Sequence, residues 1–242
     1  MAAYVLVHGA GHGGWCYQRV APILRSAGHE VYTPTLTGLG ERSHLLHPEI
    51  DLDTHIRDIA AVLHYEDLRE VILVGHSYAG MVITGAADRA ADRVARLVYL
   101  DAGAPTSGQS LLDLNVIGAM ISESRPFGKV IDGVEVVLLP FPEAGTFYGV
   151  TDPDDLAWMA DRLTAHPWKC FEQPVKADET ALRAIPRYYI VCTSTLALPI
   201  LDPELVAVAR DEGRLWEIDT GHDLMITEPR AVADALLEIA AT

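Results

Sequence analysis

Short apolar runs rich in Val, Ile, Leu and Tyr recur along the chain at residues 4–7, 30–33, 71–74, 97–100, 188–192 and 215–218, with helix-spaced segments between them. Runs of four or five residues with little polar alternation are the pattern of strands buried on both faces. Both faces of such a sheet must be covered, and helical segments between successive strands do this while returning the chain in the same direction. The fold class is therefore α/β, a mostly parallel sheet flanked by helices. Ile56, Ile59, Ala60 and Leu63 predict one helix after the candidate caps Asp53 and Thr54. A helix over residues 15–27 is expected to end at Gly28, and a last helix to follow Thr227 with Pro229 in its first turn.

This rhythm fails between residues 105 and 185, a proline-punctuated stretch with scattered aromatics and one strand-like run at 134–139. A break that long without structure of its own is improbable in a compact domain, so it is expected to form a cap containing a helix near 154–163. The predicted organisation is a core of residues 1–104 and 186–242 carrying a cap insertion of residues 105–185.

Charge narrows the partners. Eighteen Lys and Arg against 34 Asp and Glu give a formal net charge of −16, which repels nucleic-acid backbones and anionic membrane surfaces. No apolar run approaches the roughly 20 residues of a membrane span. Residues 1–7 lack a basic segment and read as a strand rather than a signal peptide. Cys16, Cys170 and Cys192 form no CxxC or CxxH pair, so neither a zinc site nor a disulfide framework is expected, and a cytoplasmic location fits.

The run 71–82 sets Gly75-His76-Ser77-Tyr78-Ala79 at a change from strand to helix. A serine in such an elbow projects its hydroxyl above the sheet, and small flanking residues let the strand and helix backbones approach. Upstream, His8-Gly9-Ala10-Gly11-His12-Gly13-Gly14-Trp15 follows the first strand. Gly9, Gly11 and Gly14 could form a dinucleotide fingerprint with Glu30. The elbow favours the other reading, an oxyanion hole made by the Ala10 and Tyr78 N–H groups, with Gly9 beside the substrate.

A serine hydroxyl needs a base. Among ten histidines, His222 follows the last strand in Asp219-Thr220-Gly221-His222, the place that completes the order Ser, acid, His. His8 and His76 flank the site and are expected to be structural hydrogen-bonding groups, while His166 carries no positional argument. The acid is open. The penultimate strand runs into residues 193–198 without a carboxylate before Asp202, whereas Asp101 ends the strand next to the nucleophile's. Asp101 is the leading candidate, followed by Asp202, a Ser–His dyad or an unrecognised acid.

These motifs resemble the α/β-hydrolase superfamily, specifically the branch of plant methyl esterases (salicylate-binding esterases) and hydroxynitrile lyases, over nearly the whole chain. The resemblance rests on residues 5–15, Gly75-His76-Ser77, Tyr189-Ile190-Val191-Cys192-Thr193 and Gly221-His222. It implies an α/β-hydrolase fold, a serine nucleophile, a histidine base, an acid after the penultimate strand, and neither metal nor organic cofactor. Two departures stand out: Ala79 replaces a glycine, and Thr195 stands where the acid is expected. In some α/β-hydrolases the acid sits on the earlier strand. Lyases of this branch carry a threonine and a lysine where this chain has Gly9 and Asp223, and a carboxylate there disfavours developing cyanide. Epoxide and haloalkane hydrolysis require a carboxylate where Ser77 stands.

The expected activity is hydrolysis of a small, largely apolar carboxylic ester, methyl esters included, through an acyl-enzyme. Trp158, Met159 and Phe127, with Leu111, Met120, Phe147 and Phe171, are candidates for the pocket wall. The expected partners are the small-molecule ester and, at most, a second copy in a homodimer. Carbon–carbon cleavage, a biosynthetic cyclase and a non-catalytic small-ligand receptor are the alternatives.

Overall fold

Strands covered on both faces organise the molecule. The structure, a computed structural model, describes residues 1–137, 148–196 and 201–242. Strands β1 (Ala3–Val7), β2 (Glu30–Tyr32), β3 (Val71–His76) and β4 (Val94–Leu100) precede a long excursion containing β5 (Lys129–Ile131), β6 (Val134–Val137) and β7 (His166–Pro167). The chain then returns in β8 (Arg187–Cys192) and β9 (Leu215–Ile218). The main sheet has the order β2-β1-β3-β4-β8-β9, with every pairing parallel.

Register positions the site. Val7 lies opposite Gly75, His76 opposite Leu100, and Leu100 opposite Ile190. The four central strands therefore finish close to one line, and the residues just beyond them gather at one edge, where open α/β sheets place their ligand sites.

The two-residue strand period divides the core. Tyr4, Leu6, Ile72, Val74, Val98, Leu100 and Ile190 cluster on one face with Leu24 of α1 (Ala21–Ser26) and Leu236 of the C-terminal helix. Val5, Val7, Leu73, Leu97, Tyr99 and Val191 cluster on the other with Ile56 and Ile59 of α2 (Leu52–Tyr65) and Val82 of α3 (Ala79–Arg89). Each fully buried aliphatic side chain contributes about 1.5–3 kcal/mol relative to exposure.

Local chemistry corrects two expectations. The cap of α2 is Asp51, whose carboxylate accepts the Thr54 N–H at 2.9 Å in a capping box; Asp53 and Thr54 lie inside the first turn. The stretch 15–27 is not one helix but a 3₁₀ turn (Gly14–Tyr17) followed by α1, because Pro22 has no N–H to give the Gln18 carbonyl.

Between β4 and β8, strands β5, β6 and β7 form a separate antiparallel sheet, accompanied by α4 (Asn115–Ser124) and α5 (Pro153–Ala160). Asp152 caps α5 by accepting the Asp154 and Asp155 N–H groups, and the helix ends at Ala160, about one turn short of the expected 163. Residues 138 and 139 of the predicted strand lie outside the described residues. After β8 come α6 (Pro203–Asp211) and, beyond β9, α7 (Pro229–Ala241). Among the described residues no helix is long and apolar enough to cross a membrane. All three cysteines are buried and unpaired.

Candidate active site

Two strained residues stand where the central strands end. Among the described residues Asp67, Glu70, Ser77, Asp101 and Asp132 are the non-glycines with positive φ. Asp67, Glu70 and Asp132 sit in exposed turns, but Ser77 (φ 54°) follows β3 and buried Asp101 (φ 45°) follows β4. Such conformations cost about 1–3 kcal/mol and persist where surrounding structure enforces them. Here the Ser77 N–H bonds to the Leu100 carbonyl at 3.2 Å, and the Asp101 N–H to the Ile190 carbonyl at 2.7 Å. Each elbow is thus pinned to the neighbouring strand. The turn is tight: a Cβ on Gly75 would lie 2.7 Å from the Ala79 carbonyl oxygen, and one on Gly9 would lie 2.8 Å from His76 Nδ1. Ala79 itself is fully buried without requiring the glycine expected there.

The structure brings Ser77, His222 and Asp101 together. His222 Nδ1 lies 2.6 Å from Asp101 Oδ2, and its Nε2 lies 2.9 Å from Ser77 Oγ. An ionised carboxylate only accepts, so the hydrogen-bond network assigns the proton to Nδ1 and leaves the Nε2 lone pair for the serine hydroxyl. Burial pushes the Asp101 carboxyl up, yet the His222 hydrogen bond and charge, the Thr195 hydroxyl and the Cys192 N–H together hold it below its ordinary value. For His222, burial lowers the imidazole, but the Asp101 hydrogen bond and charge, aided by Asp223, outweigh it and leave it raised. Asp202, the alternative acid, instead caps α6 by accepting the Glu204 N–H at 2.9 Å.

Buried histidines frame this chain. The Gly9 carbonyl accepts from His8 Nδ1 (2.9 Å) and from the His12 N–H (3.4 Å). A peptide unit is planar and trans, so fixing the Gly9 carbonyl directs the Ala10 N–H the opposite way. Among the described residues neither the Ala10 nor the Tyr78 N–H is given to an acceptor. His8 Nε2 accepts the Leu36 N–H at 3.1 Å, so the ring is neutral, and burial lowers its pKa to about 3. His76 Nε2 donates to the His222 carbonyl at 3.0 Å, and burial likewise lowers this ring to about 3. Tyr78 bonds through its hydroxyl to His55 Nδ1 at 2.9 Å and packs edge-on against His166, centroids 4.7 Å apart.

The structure redistributes the proposed pocket residues. Phe127 is 77% exposed, and Met159 is 1% exposed within the core cluster that includes Tyr148 and Val150. Trp158 packs edge-on to Trp15 at 5.0 Å and is approached by the guanidinium groups of Arg19 and Arg162, 5.2 and 5.3 Å from its ring centroid. Leu111 is core, Met120 is 37% exposed, and Phe171 stacks on His166 at 4.6 Å. Phe147 lies outside the described residues.

Among the described residues His55, His166 and Cys170 bring ligand-type atoms within 4.8 Å of one another. Both His55 nitrogens are already bonded, to the Tyr78 hydroxyl and the Thr37 carbonyl, so a metal would have to displace one of these. The sequence reading missed His55, His166 and the partners of His12 and Asp223. Only His12 carried a signal, its place in the glycine-rich turn.

A family model described as the alpha/beta hydrolase family matches residues 4–235. The chain is 39% identical over 244 residues to a carbendazim hydrolyzing esterase of Nocardioides sp. (strain SG-4G), covering 98% of each. It is 27% identical over 270 residues to salicylic acid-binding protein 2 of Nicotiana tabacum, covering 98% of this chain and 96% of that one. An extracellular alpha/beta-hydrolase from a Paenibacillus species superimposes with a TM-score of 0.82 at 24% identity, over 98% of both chains.

Proposed function

Because the chain belongs to the alpha/beta hydrolase family, we propose that its ester cleavage runs through an acyl-enzyme on Ser77, with His222 as base and Asp101 as the orienting acid. The observation that carries this reading is the unbroken line of hydrogen bonds from Ser77 Oγ through both nitrogens of His222 to Asp101. As the serine oxygen attacks the ester carbonyl, His222 Nε2 takes its proton, and buried Asp101 stabilises the resulting imidazolium. The negative charge formed on the carbonyl oxygen is received by the Ala10 and Tyr78 N–H groups, each such donor contributing about 3 kcal/mol in the transition state. The imidazolium then protonates the departing alcohol. Water, activated by the same ring, releases the acid and restores the serine.

The substrate class is a small, largely apolar ester, with methyl esters first because plant relatives are named methylesterases. Carbendazim belongs on the same panel, since a 39% identical relative is named for hydrolysing it. Buried, unpaired cysteines support a cytoplasmic location. A fluorophosphonate tests the mechanism against a non-catalytic receptor. One covalent adduct mapped to Ser77 is expected, and an unlabelled serine in folded protein contradicts the reading.

A further inference from the structure

Asp223 follows the proposed base in sequence, yet its side chain does not turn to solvent. It is 0% exposed, and its Oδ2 lies 3.1 Å from His12 Nε2. The other nitrogen of that ring, Nδ1, lies 2.8 Å from the Ala10 carbonyl. A carbonyl oxygen can only accept, so Nδ1 carries a proton; the Nε2 to carboxylate contact needs a proton as well. Burial pushes the Asp223 carboxyl up, but the His12 charge and hydrogen bond, with His76 and His222, hold it below its ordinary value.

We propose that His12 is an imidazolium clamped between Ala10 and Asp223, a positioning residue that ties the oxyanion-hole turn to the loop bearing His222. This rests on the acyl-enzyme reading given above. The clamp joins two segments 211 residues apart in sequence. On one side it holds the peptide after Ala10, while the Gly9 carbonyl on the preceding peptide is held by His8 and the His12 N–H. On the other it fixes Asp223, whose N–H is bonded to the Tyr148 carbonyl at 2.9 Å, immediately after a His222 carbonyl held by His76.

The surroundings suit a cation. Trp15 stacks on the His12 ring at 5.3 Å, within reach of a cation–π contact. Tyr148 and His76 lie in T-shaped contact with the ring, centroids 5.7 and 6.0 Å away. The other titratable groups acting on this pair are Cys16, Tyr17, Tyr148, His8, His76, His166 and His222, and none of them supplies a second carboxylate. His12 is 1% exposed, so the one proton shared with Asp223 keeps the buried pair net neutral.

Because the oxyanion exists only after attack, loosening the turn acts on kcat more than on KM. The test is long-range ¹⁵N–¹H spectroscopy of histidine-labelled protein at about pH 8, where a free imidazole is neutral. His12 is assigned by ring-to-backbone correlations in the wild type. Both its nitrogens are expected to be protonated, and Asp223→Asn is expected to leave one protonated nitrogen and to lower kcat about tenfold with KM within about twofold. A singly protonated His12 in the wild type overturns the proposal, as does an unchanged kcat in folded Asp223→Asn. Fluorophosphonate labelling of wild-type Ser77 separates the two failures. If labelling persists, only the clamp is wrong; if labelling is absent, the acyl-enzyme reading is at fault.

Discussion

Thr195, at the position where the resemblance places the acid, donates its hydroxyl to Asp101 Oδ1 at 2.5 Å. Asp101 stands at the neighbouring strand end, and Thr195 is one of the supports of its carboxylate. The Cys192 N–H adds a bond to the same oxygen at 3.1 Å, and the Cys192 thiol approaches Oδ2 at 3.3 Å. Thr195→Val removes a donor to a buried charge, a loss of about 1.5–3 kcal/mol. The expected result is a severalfold to tenfold fall in kcat/KM, restored by Thr195→Ser, measured by steady-state kinetics on a short-chain ester.

Asp101 and Asp202 separate cleanly by mutation. Asp101→Asn forces the wrong tautomer on His222 and is expected to lower kcat by about 10⁴. Asp202→Ala removes a helix cap, costing about 1 kcal/mol of stability in a thermal melt while leaving kcat intact.

The pH dependence follows from the raised imidazole. His222 must be unprotonated to act as base, so kcat/KM is expected to rise along an acid limb centred above the ordinary histidine value of 6.5. In Asp101→Asn the charge that raises the ring is gone and the residual limb moves to lower pH. For stability the sign is opposite. A raised histidine contributes fully below 6.5, and that contribution is lost as pH rises through the folded-state value. A rate profile with its limb below 6.5 contradicts the assignment.

Two of the pocket expectations convert into tests of burial. Phe127→Ser, at a solvent-facing position, is expected to leave KM unchanged. Met159→Ala, in the core, is expected to cost about 2–5 kcal/mol in denaturant unfolding rather than to change substrate preference.

The sheet was legible because residues such as Tyr4 and Val5 are buried on opposite faces, and that leaves a continuous apolar run. The elbow at Ser77 was legible from its small neighbours and its place after a strand. The short antiparallel strands were not: β7 is two residues long, one of them Pro167, and periodicity needs more length. The break before Pro22 could have been read from that proline. Asp101 was only partly legible, since a strand-end aspartate has many turn roles and its support comes from Thr195, 94 residues away. The His12–Asp223 pair spans still more chain, and no local pattern connects such residues.

The most direct measurement is turnover of a short-chain p-nitrophenyl ester by Ser77→Ala, set beside the wild type under the same conditions. The account predicts loss of at least about 10⁴-fold in kcat with the fold intact by circular dichroism. A folded variant that hydrolyses the ester at the wild-type rate contradicts it.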